Sequence, residues 1–237
     1  MKGLLYYQFI SYLRSYHYIP PFSLFIILLI VNYTYTPNPI LDSYSFTSLI
    51  LFFIMGWFTV TIFHVEETGQ KQITLLHAQS LSKYYVSLYL LSALIGLFLS
   101  IVAVAYPIVF GAFGGETRPL HVLMGILSHF SLAFLAIGLS AVFTREIVKK
   151  RVNTWWGVVS ILIISLSLVT IKSSLLQLKG LIWLIPPVYL PLEMMTAKDS
   201  ISFIPELFYW KFGFVFLYGI FFMATFLFII NRKPASS

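Results

Sequence analysis

FTSLILFFIMGWFTVTIF (residues 46–63), running directly into HVEETGQKQITLLHAQSLSKYY (residues 64–85), is the stretch on which the fold turns. The first part is apolar apart from small hydroxyl residues and is close to the roughly 20 residues a helix needs to cross a bilayer core of about 30 Å. The second part is among the few polar segments in the chain, and a second long apolar run follows it. A connector between two membrane helices needs only a few residues. A segment with two adjacent acids, a glycine, a Leu-Leu pair and a Ser-Lys-Tyr-Tyr ending is expected to do more than join them.

Composition extends that reading to the whole chain. Of 237 residues, 59% are hydrophobic and only 10% are charged, against about 25% charged in a soluble domain. The mean hydropathy is +0.90. Apolar runs predict six spans at about 19–36, 46–63, 84–113, 120–143, 155–171 and 207–230. The alternating pattern of barrel strands is absent, and helices satisfy their own backbone groups in lipid. The expectation is an all-α membrane protein in which residues 1–237 form a single transmembrane domain. The chain has no cysteine, which excludes disulfides and thiolate metal sites. Lys2 and Arg14 precede the first apolar run with no small-residue cleavage site after it, so that run reads as a retained signal-anchor helix.

Basic residues set the expected orientation. With both termini on one side, that side holds ten Lys and Arg against three acids, and the other side holds five against five. The whole formal charge of +7 therefore lies with the termini, which predicts a multi-pass protein with both termini cytoplasmic. Confined to membrane-flanking segments, this charge points to lipid rather than nucleic acid. The strongly basic TREIVKKRVNTWW (residues 144–156) then reads as a topology determinant beside anionic lipid, with contact to a partner as the lesser reading.

Two further segments stand apart. Residues 1–17 place Leu4, Leu5, Phe9, Leu13 and Tyr16 near one another at helical spacing, with Lys2, Gln8 and Arg14 elsewhere. That suits a short interfacial helix; a frayed tail is the plainer alternative. Residues 172–206 are apolar in their middle but broken by Pro186, Pro187, Pro191 and Pro205. Such a density of proline opposes a straight span, so broken, partly re-entrant helices on the outer side are expected, the alternative being a distorted seventh span.

Much chemistry is missing. There is no G-x-x-x-x-G-K-[ST], no H-E-x-x-H and no C-x-x-C. Apart from Lys211, which can snorkel, the six runs contain no Asp, Glu, Lys or Arg, whereas ion-coupled pumps keep such groups at membrane depth. His121 and His129, eight apart on the fourth run, read as packing histidines before a proton relay. EETGQK (residues 66–71) resembles the E-E-x-x-x-R signature of intramembrane CAAX-type proteases. However, Lys71 stands where that family has Arg, and none of the five histidines has a Phe four positions before it.

The opening segment resembles the first cytoplasmic loop of ABC-2-type transporter permeases, whose pattern runs E-E-x-x-x-G, Leu-Leu, a small or proline residue, Leu or Val, Ser, Arg or Lys, and an aromatic. Here Glu66 and Glu67 are followed by Gly69, then Leu75-Leu76, then Ser80-Leu81-Ser82-Lys83-Tyr84. The family's glycine usually lies a position or two later, and Ser80 replaces its proline. The resemblance covers nearly the full chain in layout: an interfacial N-terminal helix, six spans, cytoplasmic termini and a broken re-entrant element before the last helix. It implies that loop 64–83 is a coupling helix docking on a separate ATPase, with Glu66, Glu67, Gly69, Ile73, Leu75 and Leu76 as coupling residues. Apart from any family, Ile73 and Leu76 are three apart and can offer an apolar edge to a partner; a solvated loop resting on the bilayer is the alternative.

The function that the resemblance implies is that of a permease subunit of an ABC exporter in a bacterial-type cell membrane, not an enzyme in itself. Two ATPase subunits would bind ATP and Mg2+, and a second copy or sister permease would complete the path. No cofactor or metal is expected in this chain. Pro186, Pro187 and Pro191 would sit at the outer gate. Tyr85, Tyr89, Ser92, Ser128, Ser131 and Ser140 suit an amphipathic or apolar cargo better than a bare ion, and the resemblance points to a peptide or lipid-like amphiphile, a peptide foremost. The rival expectations are a secondary transporter and a scaffold or sensor partner without an ATPase.

Overall fold

In a computed structural model, the structure describes residues 1–148, 150–170, 186–196, 199–201 and 203–232. Helices dominate, as they must where lipid leaves backbone groups no other partner. They are α1 (Lys2–Ser15), α2 (Ile19–Asn32), α3 (Ile40–Phe63), α4 (Thr68–Ala78), α5 (Leu81–Val109), α6 (Pro119–Ala141), α7 (Arg151–Thr170), α8 (Tyr189–Met195) and α9 (Phe208–Arg232). Among the described residues the only β feature is an isolated bridge between Asn38 and Phe113.

Among the described residues five helices, α3, α5, α6, α7 and α9, are long and apolar enough to cross a membrane. The first expected span differs. α2 has 14 residues and rises about 21 Å, short of a bilayer core. It stops at Asn32 rather than residue 36, and Pro37 and Pro39 then deny the chain further helical donors. α1 and α2 meet at a 78° bend. The bend sits at Tyr16, whose φ of 58° is left-handed while its N–H closes on the Leu13 carbonyl. Counted as one broken element, the pair makes a sixth candidate span. Phe9 and Leu13 of α1 and Tyr16 at its C-terminal bend are exposed, whereas Gln8 and Tyr12 face the bundle.

The centre is α3 against α6. In both, 67% of the apolar window is buried, against 22% in α7 and α9. The latter two therefore carry the broad apolar surfaces left for lipid or another chain. Small residues let the backbones close up, as is usual where lipid supplies no hydrophobic drive between helices. A Cβ on Gly138 of α6 would stand 2.9 Å from the Gly219 carbonyl oxygen of α9, and one on Gly219 would stand 2.6 Å from the Phe134 ring. Phe63, Tyr85, Tyr89 and Phe226 then knit α3, α5 and α9, with centroids 5.2 Å apart for Phe63–Tyr89 and for Tyr85–Phe226.

The end of the bundle far from α4 is closed by a long-range cap. Pro39 precedes α3 and has no side-chain acceptor to give it. Asp199 supplies one instead: its Oδ2 accepts from the Ile40 N–H at 2.8 Å and its Oδ1 from the Leu41 N–H at 3.0 Å. This explains why α3 begins at Ile40, six residues before the expected span. Arg118 donates to the Ser200 and Ile201 carbonyls at 3.0 and 3.1 Å. Of the expected re-entrant segment, residues 172–185, 197–198 and 202 lie outside the described residues. The described part is α8, whose Pro191, Met194 and Met195 are buried against α3, α6 and α9. Pro186 and Pro187 are buried just before it.

Candidate functional site

The polar stretch between α3 and α5 folds as a helix. α3 ends at Phe63, Glu67 takes an extended conformation, and α4 runs from Thr68 to Ala78. Gln79 turns left-handed with φ 56°. Ser80 then caps α5, its Oγ accepting from the Lys83 N–H at 3.4 Å, the usual service of serine at a helix start. Lys71, Thr74, Leu75 and Ala78 recur at helical spacing and form the inner face of α4, while Gly69, Gln72, Ile73 and Leu76 face out.

Beneath that inner face lies a polar cluster built from three separated stretches. Glu66 is 1% exposed. Its Oε1 accepts from the Thr74 hydroxyl at 3.3 Å and its Oε2 from the Tyr84 hydroxyl at 3.0 Å. The Arg145 guanidinium, from the α6–α7 loop, donates to the Glu66 carbonyl. The Arg145 N–H donates to His64 Nε2 at 2.9 Å, which makes that nitrogen the acceptor and leaves the ring proton on Nδ1. Lys71 Nζ lies 2.6 Å from Glu146 Oε1, with Arg145 Nε at 3.7 Å from the same oxygen. Lys71 also stands over the Tyr85 ring, 5.3 Å from its centroid.

The two acids, Glu66 buried and Glu146 half-buried, respond in opposite ways. Burial pushes the Glu66 carboxyl above its ordinary value, against the pull of the Tyr84 and Thr74 hydroxyls and of Arg145 and Lys71. At Glu146 burial works in the same direction, but the hydrogen bond and charge of Lys71, with Tyr85 and Arg145, outweigh it and hold the carboxyl below its ordinary value. Two carboxylates that feel the same cations thus differ because Glu146 takes the ammonium directly and Glu66 takes hydroxyls.

α1 joins the same assembly. Gln8 Nε2 donates to the Tyr84 carbonyl at 3.4 Å, and Gln70 Nε2 donates to the Tyr7 hydroxyl at 2.8 Å. α4 is therefore fastened to α1, to the first turn of α5 and to the α6–α7 loop. On its other face Ile73 is 60% exposed and Leu76 77% exposed. A groove of about 580 Å3 between α1 and α4, lined by Leu4, Tyr7, Ile73, His77 and Lys83, adjoins them.

The residues singled out in the sequence separate into three groups. Ile73 and Leu76 share the outer face. Leu75 turns inward and packs against the core. Glu66 is buried and engaged as above rather than serving the start of α4. Glu67 alone holds the N-cap position, and it makes no side-chain capping bond. Gly69 is exposed with nothing within 4 Å of a Cβ built on it. Pro186, Pro187 and Pro191 lie with α8 on the far side of α3 and α6 and belong to no part of this cluster. His64, Lys71, Thr74, Tyr84, Arg145 and Glu146 are the members that sequence reasoning missed. One signal pointed to them: Glu146 is the only acid in the basic 144–156 loop.

Deeper in the bundle, His129 is wholly buried. Its Nδ1 faces the Gly125 carbonyl at 2.7 Å and its Nε2 the Thr47 hydroxyl at 2.9 Å, so it fastens α6 to α3. His121 Nδ1 accepts from the Arg118 N–H at 3.2 Å and helps start α6. Tyr85, Tyr89, Ser92, Ser128, Ser131 and Ser140 are all buried. Ser92 and Ser131 donate to carbonyls of their own helices. Among the described residues no three His, Asp or Glu are grouped to hold a metal ion. Comparison of the chain with protein-family models, with curated proteins and with solved structures finds no match.

Proposed function

We propose that this chain is the permease subunit of an ATP-driven exporter of the ABC-2 type, and that α4 is the element through which a separate ATPase moves it. The observation that carries the reading is the two-sidedness of α4. Its inner face is tied through Lys71 to the α6–α7 loop and through Thr74 and Glu66 to Tyr84 of α5, and its outer face presents Ile73 and Leu76 to solvent. A helix held so firmly on one side and left apolar on the other suits a lever: force on the outer face passes to two membrane helices at once. ATP and Mg2+ belong to the partner, whose closure would shift the bundle between two states as a rigid-body movement. A second copy or sister permease completes the path, and the sparsely charged, hydroxyl- and aromatic-bearing spans favour an amphipathic or apolar cargo such as a peptide. In this reading α4 and both termini face the cytoplasm.

The test is co-purification from the native membrane in mild detergent, with an Ile73→Asp/Leu76→Asp double variant alongside. Both side chains are exposed, so insertion and thermal stability should match the parent. A P-loop ATPase recovered with the parent and lost from the variant supports the reading. An intact parent that brings no ATPase, or one retained equally by the variant, removes it.

A further inference from the structure

α1 and α2 lean on different neighbours: α1 packs on α5 and α2 on α3. Because the two helices diverge by 78°, a gap opens inside their elbow, between α2 and α5. It forms a cleft of about 680 Å3 floored by Tyr12 and Phe58 and walled by Phe9, Phe22, Leu94 and Phe98. That volume falls in the roughly 300–1,000 Å3 range of small-molecule sites. The Tyr12 hydroxyl is engaged by Thr61 at 2.8 Å, so the floor offers no free polar group. Of the residues lining the cleft only Lys2 is charged, and it is exposed at the α1 end.

The dimensions and chemistry narrow the occupant. The α5 wall, from Leu91 to Leu99, rises about 12 Å, and α5 has the highest hydropathy of the five candidate spans, 2.5. The slot therefore lies in hydrocarbon, where a polar solute does not go. An extended alkyl chain fits, and a cation at one end of an apolar slot matches an anionic head group.

We propose that this cleft binds one acyl chain of an anionic phospholipid, with the lipid phosphate on Lys2. The inference rests only on the membrane placement of the bundle and is independent of any ATPase. It is tested by native mass spectrometry of the full chain in mild detergent. Phosphatidylglycerol and phosphatidylcholine with identical acyl chains are added in equal amounts. One retained phosphatidylglycerol is expected, favoured about fivefold, the size of one lysine's attraction to an anionic surface. Lys2→Gln should bring the two lipids to parity, and Leu94→Trp, which fills the slot from an exposed position, should remove both. Leu217→Trp, on an exposed position of α9 away from the cleft, should change neither. Equal retention of both lipids by the parent overturns the proposal, as do adducts untouched by Leu94→Trp, which would mark ordinary surrounding lipid. A parent dimer that Leu94→Trp splits without loss of lipid would also overturn it, assigning the cleft to a second copy. Should Leu94→Trp fail to fold, the Lys2→Gln comparison decides alone, because that side chain is outside the core.

Discussion

Replacing Lys71 by methionine keeps most of the bulk on the inner face of α4 and removes one ammonium. The pair it breaks is close, 2.6 Å from Nζ to Oε1, and its side chains are 14% and 20% exposed. At an effective dielectric constant near 20 the gross attraction at that distance is about 6 kcal/mol. Desolvation of the two ions offsets several kcal/mol of it. Exposed pairs are worth about 0–1 kcal/mol, whereas breaking a fully buried one costs about 3–5 kcal/mol. Arg145 stays near Glu146 after the substitution and softens the loss, so Lys71→Met should destabilise by about 2 kcal/mol, between those limits. Glu146→Gln should cost less, because the amide still accepts from Lys71. The double variant should then cost little more than Lys71→Met alone, a coupling energy of roughly 1.5 kcal/mol. The assay is reversible unfolding of all four proteins in detergent micelles at pH 7, repeated at falling pH. Glu146 has a lowered carboxyl pKa, so its stabilisation is full above the ordinary value of 4.5 and is lost as pH falls through the lowered one. The coupling should fade over that same window. Strict additivity at pH 7, with coupling under about 0.5 kcal/mol, would show that the pair is a loose surface contact and would refute the clamp.

Glu66 should show the opposite sign. Its carboxyl is raised above 4.5 by burial, so the folded state keeps the proton longer, and stability falls as pH rises from 4.5 through the raised value. Glu66→Gln lacks that slope, and parent and variant with parallel stability–pH curves would contradict the burial argument. Asp199→Ala should cost about 1–2 kcal/mol by uncapping α3, read as a lower unfolding midpoint; no change would mean that water caps Ile40 and Leu41 equally well. Gly138→Ala must push α6 from α9 and should cost about 1–3 kcal/mol. Gly213→Ala, with nothing within 4 Å, should be neutral or gain up to about 1 kcal/mol; equal effects at the two sites would undo the close-packing account.

The membrane class and most helices were legible because bilayer thickness imposes a length rule on apolar runs, and the runs at 120–143, 155–171 and 207–230 match α6, α7 and α9 within a few residues. A helix in the 64–85 stretch was expected from the family resemblance, and the outward pairing of Ile73 with Leu76 followed from their spacing of three. What a one-dimensional pattern cannot carry is partnership across the fold. Asp199 caps a helix that starts 159 positions earlier, and nothing local to Pro39 or Ile40 announces it. Glu66 and Glu67 look alike in sequence; only packing against Thr74 and Tyr84 buries one and leaves the other in solvent. Glu146 read as a stray acid in a basic loop until the return of α6 set it 2.6 Å from Lys71. α2 fell short of a span because the chain bends at Tyr16 and stops before Pro37, and the elbow left between α2 and α5 exists only once α1 and α2 choose different neighbours. Hydrophobicity and length act along the chain and are written in it. Hydrogen bonds, ion pairs and clefts depend on which segments meet, and that was decided by tertiary packing.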